Sequence, residues 1–180
     1  MSSWNLPNLL SMSRVFLTPF VIAFLAVRGQ FGTLYGFDVC DILAGVVFIA
    51  ASITDAADGY IARKRKIVTN LGKFIDPLAD KILVVAALIS LVQLRRIEAW
   101  MVVVIVSREF IVSGIRMVAA VEGVVIHASA GGKIKTVSQI IAIVMMIFNI
   151  PYALPVMWIA MLLTVWSGWD YLVKSKEFFR

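Results

Sequence analysis

Apolar positions fill most of this chain in six long blocks, each closed by a short polar or glycine-rich break. The first block covers residues 14–27 and is followed by a loop over 29–39 that holds Gly29, Gly32 and Gly36. The second runs over about 41–62 and ends in the basic run Arg63, Lys64, Arg65, Lys66. The third starts near Asp76–Pro77, where a proline suits a first helical turn, or begins earlier with a kink at that point. It runs to Gln93, and Arg95, Arg96 and Glu98 make a polar turn after it. The last three cover about 100–121, 133–150 and 153–172, with Pro151 stopping the fifth. Ahead of them all, residues 4–12 are short and broken by Pro7. Trp4, Leu6, Leu9 and Leu10 there suit a small helix lying in the headgroup zone. Apolar blocks of about 20 residues match a bilayer. Arg14 and Arg28 can snorkel from the ends of the short first block. The expected fold is an all-α polytopic membrane protein: six transmembrane helices and a short N-terminal interfacial helix, packed as one domain over residues 1–180.

Composition agrees with the pattern. Hydrophobic residues make up 61% of the 180, and mean hydropathy is +0.94, where a soluble domain is only about half apolar. The net charge of +6 therefore reads as topology and lipid-surface charge, with no nucleic acid as partner. Both termini are expected inside. That places Lys64, Arg65, Lys66, Lys73, Lys133, Lys174, Lys176 and Arg180 on the cytoplasmic side and leaves Arg28, Arg95 and Arg96 outside. The Arg95–Arg96 pair runs against that bias. Residues 1–13 carry no Lys or Arg, so no signal-peptide n-region is present and the segment is expected to be retained. With Cys40 as the only cysteine, no intrachain disulfide forms.

Four carboxylates break the apolar pattern: Asp55, Asp58, Asp76 and Asp80. Each costs roughly 2.5–3.5 kcal/mol at the centre of a membrane helix, so something must compensate them. Asp55 and Asp58 are three apart and Asp76 and Asp80 four apart, so each pair shares a helix face. The second and third helices, joined by a short connection, are expected to be antiparallel neighbours whose acids converge at the cytoplasmic end. Asp55 lies eight residues before Arg63, about 12 Å along a helix, below the surface but within reach of a lipid headgroup. Two like charges ~4 Å apart repel by about 4 kcal/mol at an effective dielectric of 20. Oxygen donors without His or Cys favour a hard divalent ion, Mg²⁺ or Mn²⁺. Four carboxylates suit two such ions, an arrangement used for in-line displacement at phosphorus. Gly59, Ala62 and Gly72 strip side chain from the surface beside the acids, and Arg63 offers a planar fork to phosphate. The same small residues also suit helix packing. A proton or ion transporter would keep acids in a membrane too, but along a path across it rather than clustered at one end.

The spacing D-x2-D-G-x2-A-R-x8-G-x3-D-x3-D is filled at every position by Asp55, Asp58, Gly59, Ala62, Arg63, Gly72, Asp76 and Asp80. In this the chain resembles the CDP-alcohol phosphatidyltransferase family. The resemblance implies a six-helix membrane enzyme, a homodimer, that moves a phosphatidyl group from CDP-diacylglycerol to an alcohol and releases CMP. It implies Asp55, Asp58 and Asp76 as metal ligands, and Asp80 as both ligand and catalytic base. Gly59, Ala62, Arg63 and Gly72 would line the CDP site together with Asp55 and Asp58. The segment 5–11 also resembles the family's N-terminal stretch, where Asn8 is either a nucleotide contact or a helix start. The expected location is a bacterial inner membrane, with the active site facing the cytoplasm.

The second half bears on the acceptor. Glu109, Ser113 and Arg116 fall at i, i+4 and i+7 on one helix face, with Arg108 beside it. The fifth block opens on Gly132, Lys133, Ile134, Lys135 and Thr136, with Gln139 following. If these patches face the acids, Arg108, Arg116, Lys133 and Lys135, with Ser113 and Thr136, form a pocket for an acceptor that carries a phosphate. In the alternative, Glu109 pairs with Arg116 structurally and the two lysines only anchor a helix. The segments R-E-F-I-V-S-G-I-R and G-K-I-K-T-x2-Q are similar to the branch of the family whose acceptor is sn-glycerol 3-phosphate. Inositol phosphate or another acceptor remains compatible with the same fold.

Overall fold

The computed structural model describes the backbone of residues 6–65, 70–121 and 130–175, and the side chains of residues 12–54, 81–119, 131–173 and 175. Its six long helices are α1 (Leu6–Ala26), α2 (Val39–Arg65), α3 (Asn70–Gln93), α4 (Ala99–Val121), α5 (Ala130–Ile147) and α6 (Ala153–Ser175). A small antiparallel hairpin, β1 (Thr33–Leu34) and β2 (Phe37–Asp38), joins α1 to α2.

Several expected boundaries move. No separate N-terminal helix over 4–12 forms among the described residues: α1 runs unbroken from Leu6 to Ala26, with Pro7 in its first turn, where the missing N–H has no intrahelical partner to lose. The loop after α1 contains the hairpin. Its two-residue turn, Tyr35–Gly36, has φ of 52° and 83°, and two positive φ values in a row match the right-handed twist of the flanking strands. Asp38 then caps α2, its Oδ1 accepting the N–H of Cys40 at 2.8 Å and its Oδ2 that of Gly29 at 2.8 Å. α3 begins at Asn70, so Asp76–Pro77 lies within the helix and is not its start.

Two helices end in the same way. At the end of α3 the N–H of Arg96 reaches the carbonyl of Leu91, and that of Arg95 the carbonyl of Val92. At the end of α5, Ile150 reaches Met145 and Asn149 reaches Met146. Arg95 and Asn149 take the left-handed position in these closures, at φ 54° and 50°. That closure ends α5 at Ile147, ahead of Pro151.

Every helix contributes to one apolar core, including Leu25, Phe48, Leu88, Leu91, Ile105, Ile143, Ile147 and Met157. Gly45 makes room for the α2–α5 contact, because a Cβ there would lie 2.5 Å from the ring of Phe148. Among the described residues α2 and α3 pack on α1 and α5; the expected convergence of their acid-bearing ends lies outside the described side chains. Large apolar side chains also face outward on all the helices, among them Phe16, Val46, Ile89, Val103, Ile134 and Trp166. One segment among the described residues, Ala153–Val173, is long and apolar enough to cross a membrane. Shorter apolar stretches occupy Met12–Ala26, Val39–Thr54 and Lys81–Gln93. Arg108 and Glu109 interrupt α4, and Lys133 and Lys135 fall in the first turns of α5.

Of the two arginines expected at the lipid boundary, one is buried and the other stays exposed while pairing with a carboxylate. Arg14 is buried, at 1% exposure. Arg28 donates through Nε to Asp41 Oδ2 at 2.9 Å. Arg96, expected in an exposed turn, donates to the same oxygen at 2.6 Å and caps α5 through the carbonyls of Met146 (3.0 Å) and Ile147 (2.5 Å). The arginine that ran against the charge bias is thus consumed by a carboxylate and a helix end.

Candidate functional site

The acid motif lies on two helices. Asp55, Asp58, Gly59, Ala62 and Arg63 belong to the second half of α2, and Gly72, Asp76 and Asp80 to the first half of α3. Helical backbone at all these positions preserves the three- and four-residue registers on which the shared faces depend. Their side chains, and that of Asn8, lie outside the described residues. The donor set, four carboxylates and no His or Cys, fits hard divalent ions.

The side-chain description resumes at Lys81, the residue after Asp80. Lys81 lines a small cleft of about 30 Å³ between α3, α4 and α5, together with Glu109, Lys135, Thr136 and Gln139 over an apolar floor that includes Leu88 and Ile105. Glu109 Oε1 accepts from Lys135 Nζ, and from Arg108 Nη1 at 3.2 Å. Arg108 Nη2 donates to Ser167 Oγ on α6 at 2.9 Å. Ser167 in turn donates to the carbonyl of Thr164, and the Thr164 hydroxyl accepts from Gln139 Nε2 at 2.8 Å. Gln139 is one turn beyond Lys135, so the polar chain runs from α5 through α4 and α6 and back to α5.

This chain is well fixed but not saturated. Three cations, Lys81, Arg108 and Lys135, surround one carboxylate, and Arg108 Nε is buried without a hydrogen-bond partner. An unsatisfied guanidinium donor beside two lysines in a low-dielectric cleft suits a phosphate or other oxyanion. The helix contact itself sets the guanidinium: a Cβ on Gly168 would come within 2.9 Å of Arg108 Cγ and Nε. Glycine at that place is what lets Arg108 lie across α6.

The expected acceptor residues divide. Lys135 and Thr136 line the cleft, and Arg108 joins it through Glu109. Lys133 is exposed, and Ser113 is half-buried outside the lining. Arg116 places its guanidinium 5.8 Å from the ring centre of Tyr171, not on Glu109, so neither the full pocket nor the expected Glu109–Arg116 pair forms. Lys81, Thr164, Ser167 and Gly168 were not singled out from the sequence. A signal existed: Thr164, Ser167 and Gly168 at i, i+3 and i+4 form a small polar stripe on an otherwise apolar helix, and intramembrane polar stripes face the bundle interior.

Comparison with known proteins identifies the family of the chain. A family model described as CDP-alcohol phosphatidyltransferase covers residues 4–166. The chain is similar to the CDP-diacylglycerol–glycerol-3-phosphate 3-phosphatidyltransferase of Bacillus subtilis, 45% identical over 97% of this chain and 96% of that protein. It is 34% identical to the protein of the same name from Rickettsia bellii, over 97% of each chain. It is 36% identical to the probable phosphatidylglycerophosphate synthase of Mycobacterium tuberculosis strain H37Rv, over 95% of this chain and 81% of that one.

Proposed function

The chain belongs to the CDP-alcohol phosphatidyltransferase family, and from that premise we propose that it transfers the phosphatidyl group of CDP-diacylglycerol to sn-glycerol 3-phosphate, giving phosphatidylglycerophosphate and CMP. The observation that carries the acceptor is the cationic cleft of Lys81, Arg108 and Lys135, which begins one residue after Asp80. An acceptor with its own phosphate would complement the positive charge that gathers there, which an uncharged alcohol would not. Full-length similarity to enzymes named for this acceptor supports the same reading.

In this reading all six helices span the membrane, the two acid-bearing helix segments open to the cytoplasm, and two chains form a homodimer. The outward apolar side chains on every helix support the first of these. Asp55, Asp58, Asp76 and Asp80 would hold two Mg²⁺ or Mn²⁺ ions, which when bound would supply the positive charge that offsets the diphosphate and the departing CMP. Gly59, Ala62 and Gly72 leave backbone accessible to the nucleotide, and Arg63 and Asn8 contact it. Lys135, Lys81 and Arg108 hold the acceptor's phosphate, Glu109 holds their side chains in place, and Thr136 closes the cleft wall. The acceptor's free hydroxyl is thereby presented to Asp80. Asp80 takes the hydroxyl proton as the oxygen bonds to the lipid-side phosphorus, and the bond from that phosphorus to CMP breaks. The acceptor comes from the cytoplasm and CMP leaves to it, while the lipid donor and lipid product stay in the bilayer.

Purified protein supplied with CDP-diacylglycerol, Mg²⁺ or Mn²⁺ and labelled glycerol 3-phosphate should place label in lipid and release CMP. No incorporation with either metal across several detergents would exclude the reaction. Incorporation of inositol phosphate in preference would keep the reaction and replace the acceptor. Asp80→Asn should lower turnover by about 10²–10⁴-fold, the worth of a positioned base. Residual activity near the wild-type rate would remove Asp80 from that role.

A further inference from the structure

A second basic cleft lies at the other end of the bundle, where α1, α3 and α5 finish and α2, α4 and α6 start. It has a volume of about 480 Å³ and is lined by Arg28, Arg95 and Arg96, with Asn149, Tyr152 and the first turn of α6 opposite them. No carboxylate lines it. Asp41 sits beneath, taken up by Arg28 and Arg96, Asp38 accepts the N–H groups of Gly29 and Cys40, and Glu98 is exposed outside the lining. The positive end of the α6 dipole adds to the field of the arginines.

The three arginines are not equivalent. Arg96 is spent on Asp41 and the end of α5. Arg28 pairs through Nε alone and remains 39% exposed, which leaves its terminal nitrogens towards the cleft. The side chain of Arg95 is exposed and makes no hydrogen bond or ion pair among the described residues. Arg95 also occupies the left-handed position that closes α3, φ 54°, a place that glycine fills with least strain. The helix end does not need an arginine. Of the four non-glycine residues with positive φ among the described residues, three, Arg95, Asn149 and Tyr152, border this one cleft, and local strain concentrates at ligand sites.

The rim is as informative as the floor. The long apolar segment of α6 begins at Ala153, and Ile150 and Leu154 at the rim are exposed. The cleft therefore sits where lipid gives way to water, on the side away from the acid motif. We infer that it binds the phosphate of an anionic phospholipid in that leaflet, with Arg95 and Arg28 as the charged contacts and Ile150 and Leu154 beside the first acyl carbons. This rests on the membrane placement proposed above but not on the transfer reaction.

The test compares wild type with Arg95→Gly in detergent micelles, titrated with dihexanoyl phosphatidylglycerol, dihexanoyl phosphatidylcholine and inorganic phosphate. Binding is read from tryptophan fluorescence and from the melting temperature. Wild type should bind the anionic lipid about tenfold more tightly than Arg95→Gly, the usual worth of one charge-assisted hydrogen bond, and should prefer it over phosphatidylcholine. The unliganded variant should melt at the wild-type temperature or above it, because glycine relieves the left-handed position. Equal affinity in the two proteins would overturn the site. Inorganic phosphate binding as tightly as the lipid, with the same loss in Arg95→Gly, would overturn the lipid as its ligand. No arm reads turnover, so a protein that fails to transfer phosphatidyl groups still answers this question.

Discussion

The molecule holds two buried carboxylates that look alike and behave differently. Asp41 on α2 takes Arg28 and Arg96; Glu109 on α4 takes Arg108 and Lys135. Each joins elements far apart in sequence. At Asp41 the carboxylate and Arg96 are buried, at 3% and 7% exposure, and Arg96 also ends on the carbonyls of Met146 and Ile147; what is left over is one acceptor, Asp41 Oδ1, and the terminal nitrogens of Arg28 at the second cleft. At Glu109 the cluster is open. Lys135 faces a cleft that Lys81 shares, and Arg108 Nε has no partner. Burial of an ion pair is therefore no guide to function on its own. The guide is whether donors are left over and whether space lies in front of them.

The sharpest way to separate the two is to remove the carboxylate of Asp41. Asp41→Asn leaves Arg96 buried without a counter-charge, which costs about 3–5 kcal/mol for a buried pair that loses one member. The melting temperature in micelles should fall steeply, and the molecules that remain folded should keep the wild-type KM for the acceptor. A stable Asp41→Asn protein with a weakened KM would reverse the assignment of the two clusters.

The open cluster should respond the other way. Lys135→Ala leaves Glu109 paired with Arg108, so the fold is spared an uncompensated charge. It removes one charge-assisted contact to the acceptor phosphate, and kcat/KM for glycerol 3-phosphate should fall by about 10- to 100-fold, equivalent to roughly 1.5–3 kcal/mol. Most of the loss should appear in KM. A large drop in melting temperature with KM unchanged would make the cluster structural.

A smaller effect should come from α6, which touches no substrate. Gly168→Ala places a methyl group within 2.9 Å of Arg108. The arginine is flexible enough to move, so the cost is about 1 kcal/mol, the low end for overpacking. The displaced guanidinium should raise the acceptor's KM severalfold without changing the metal dependence of turnover. Gly168→Ala with wild-type KM would show that Arg108 need not lie across α6.

Those residues also mark what the sequence could say. The acid motif was legible because helical spacing and charge cost are properties of the chain itself, and α2 and α3 supply the helical backbone at each position. Lengths of α4 and α6 followed from apolar runs. The partner of Glu109 was not legible: helical spacing offered Arg116, seven residues away on its own helix, and only tertiary packing brings Lys135 of α5 to it. Nor was the start of α3, because Asp76–Pro77 carries a valid helix-start signal that earlier residues override. Arg95 and Arg96 read as topology charges, since nothing local reveals that one caps α5 and the other takes a glycine's place.

The smallest expected effect belongs to the hairpin end, at Asp38. Burial alone would raise the pKa of its carboxyl. The N–H groups of Cys40 and Gly29, with the charge of Arg28, outweigh that and hold it below the ordinary value of 3.8. A lowered folded-state pKa means that the unfolded chain takes up the proton first. The stabilisation is complete above pH 3.8 and is lost as pH falls through the lowered value. Wild type should therefore show an extra loss of melting temperature below pH 3.8, and Asp38→Asn, which keeps a capping oxygen, should lose that part of the slope while melting almost normally at pH 7. The change should be slight because the carboxylate is only half-buried, and it should leave acceptor KM untouched, since Asp38 lies at the far end from Glu109. An Asp38→Asn protein with the full wild-type acid slope would show that the proton is taken up elsewhere in the hairpin end.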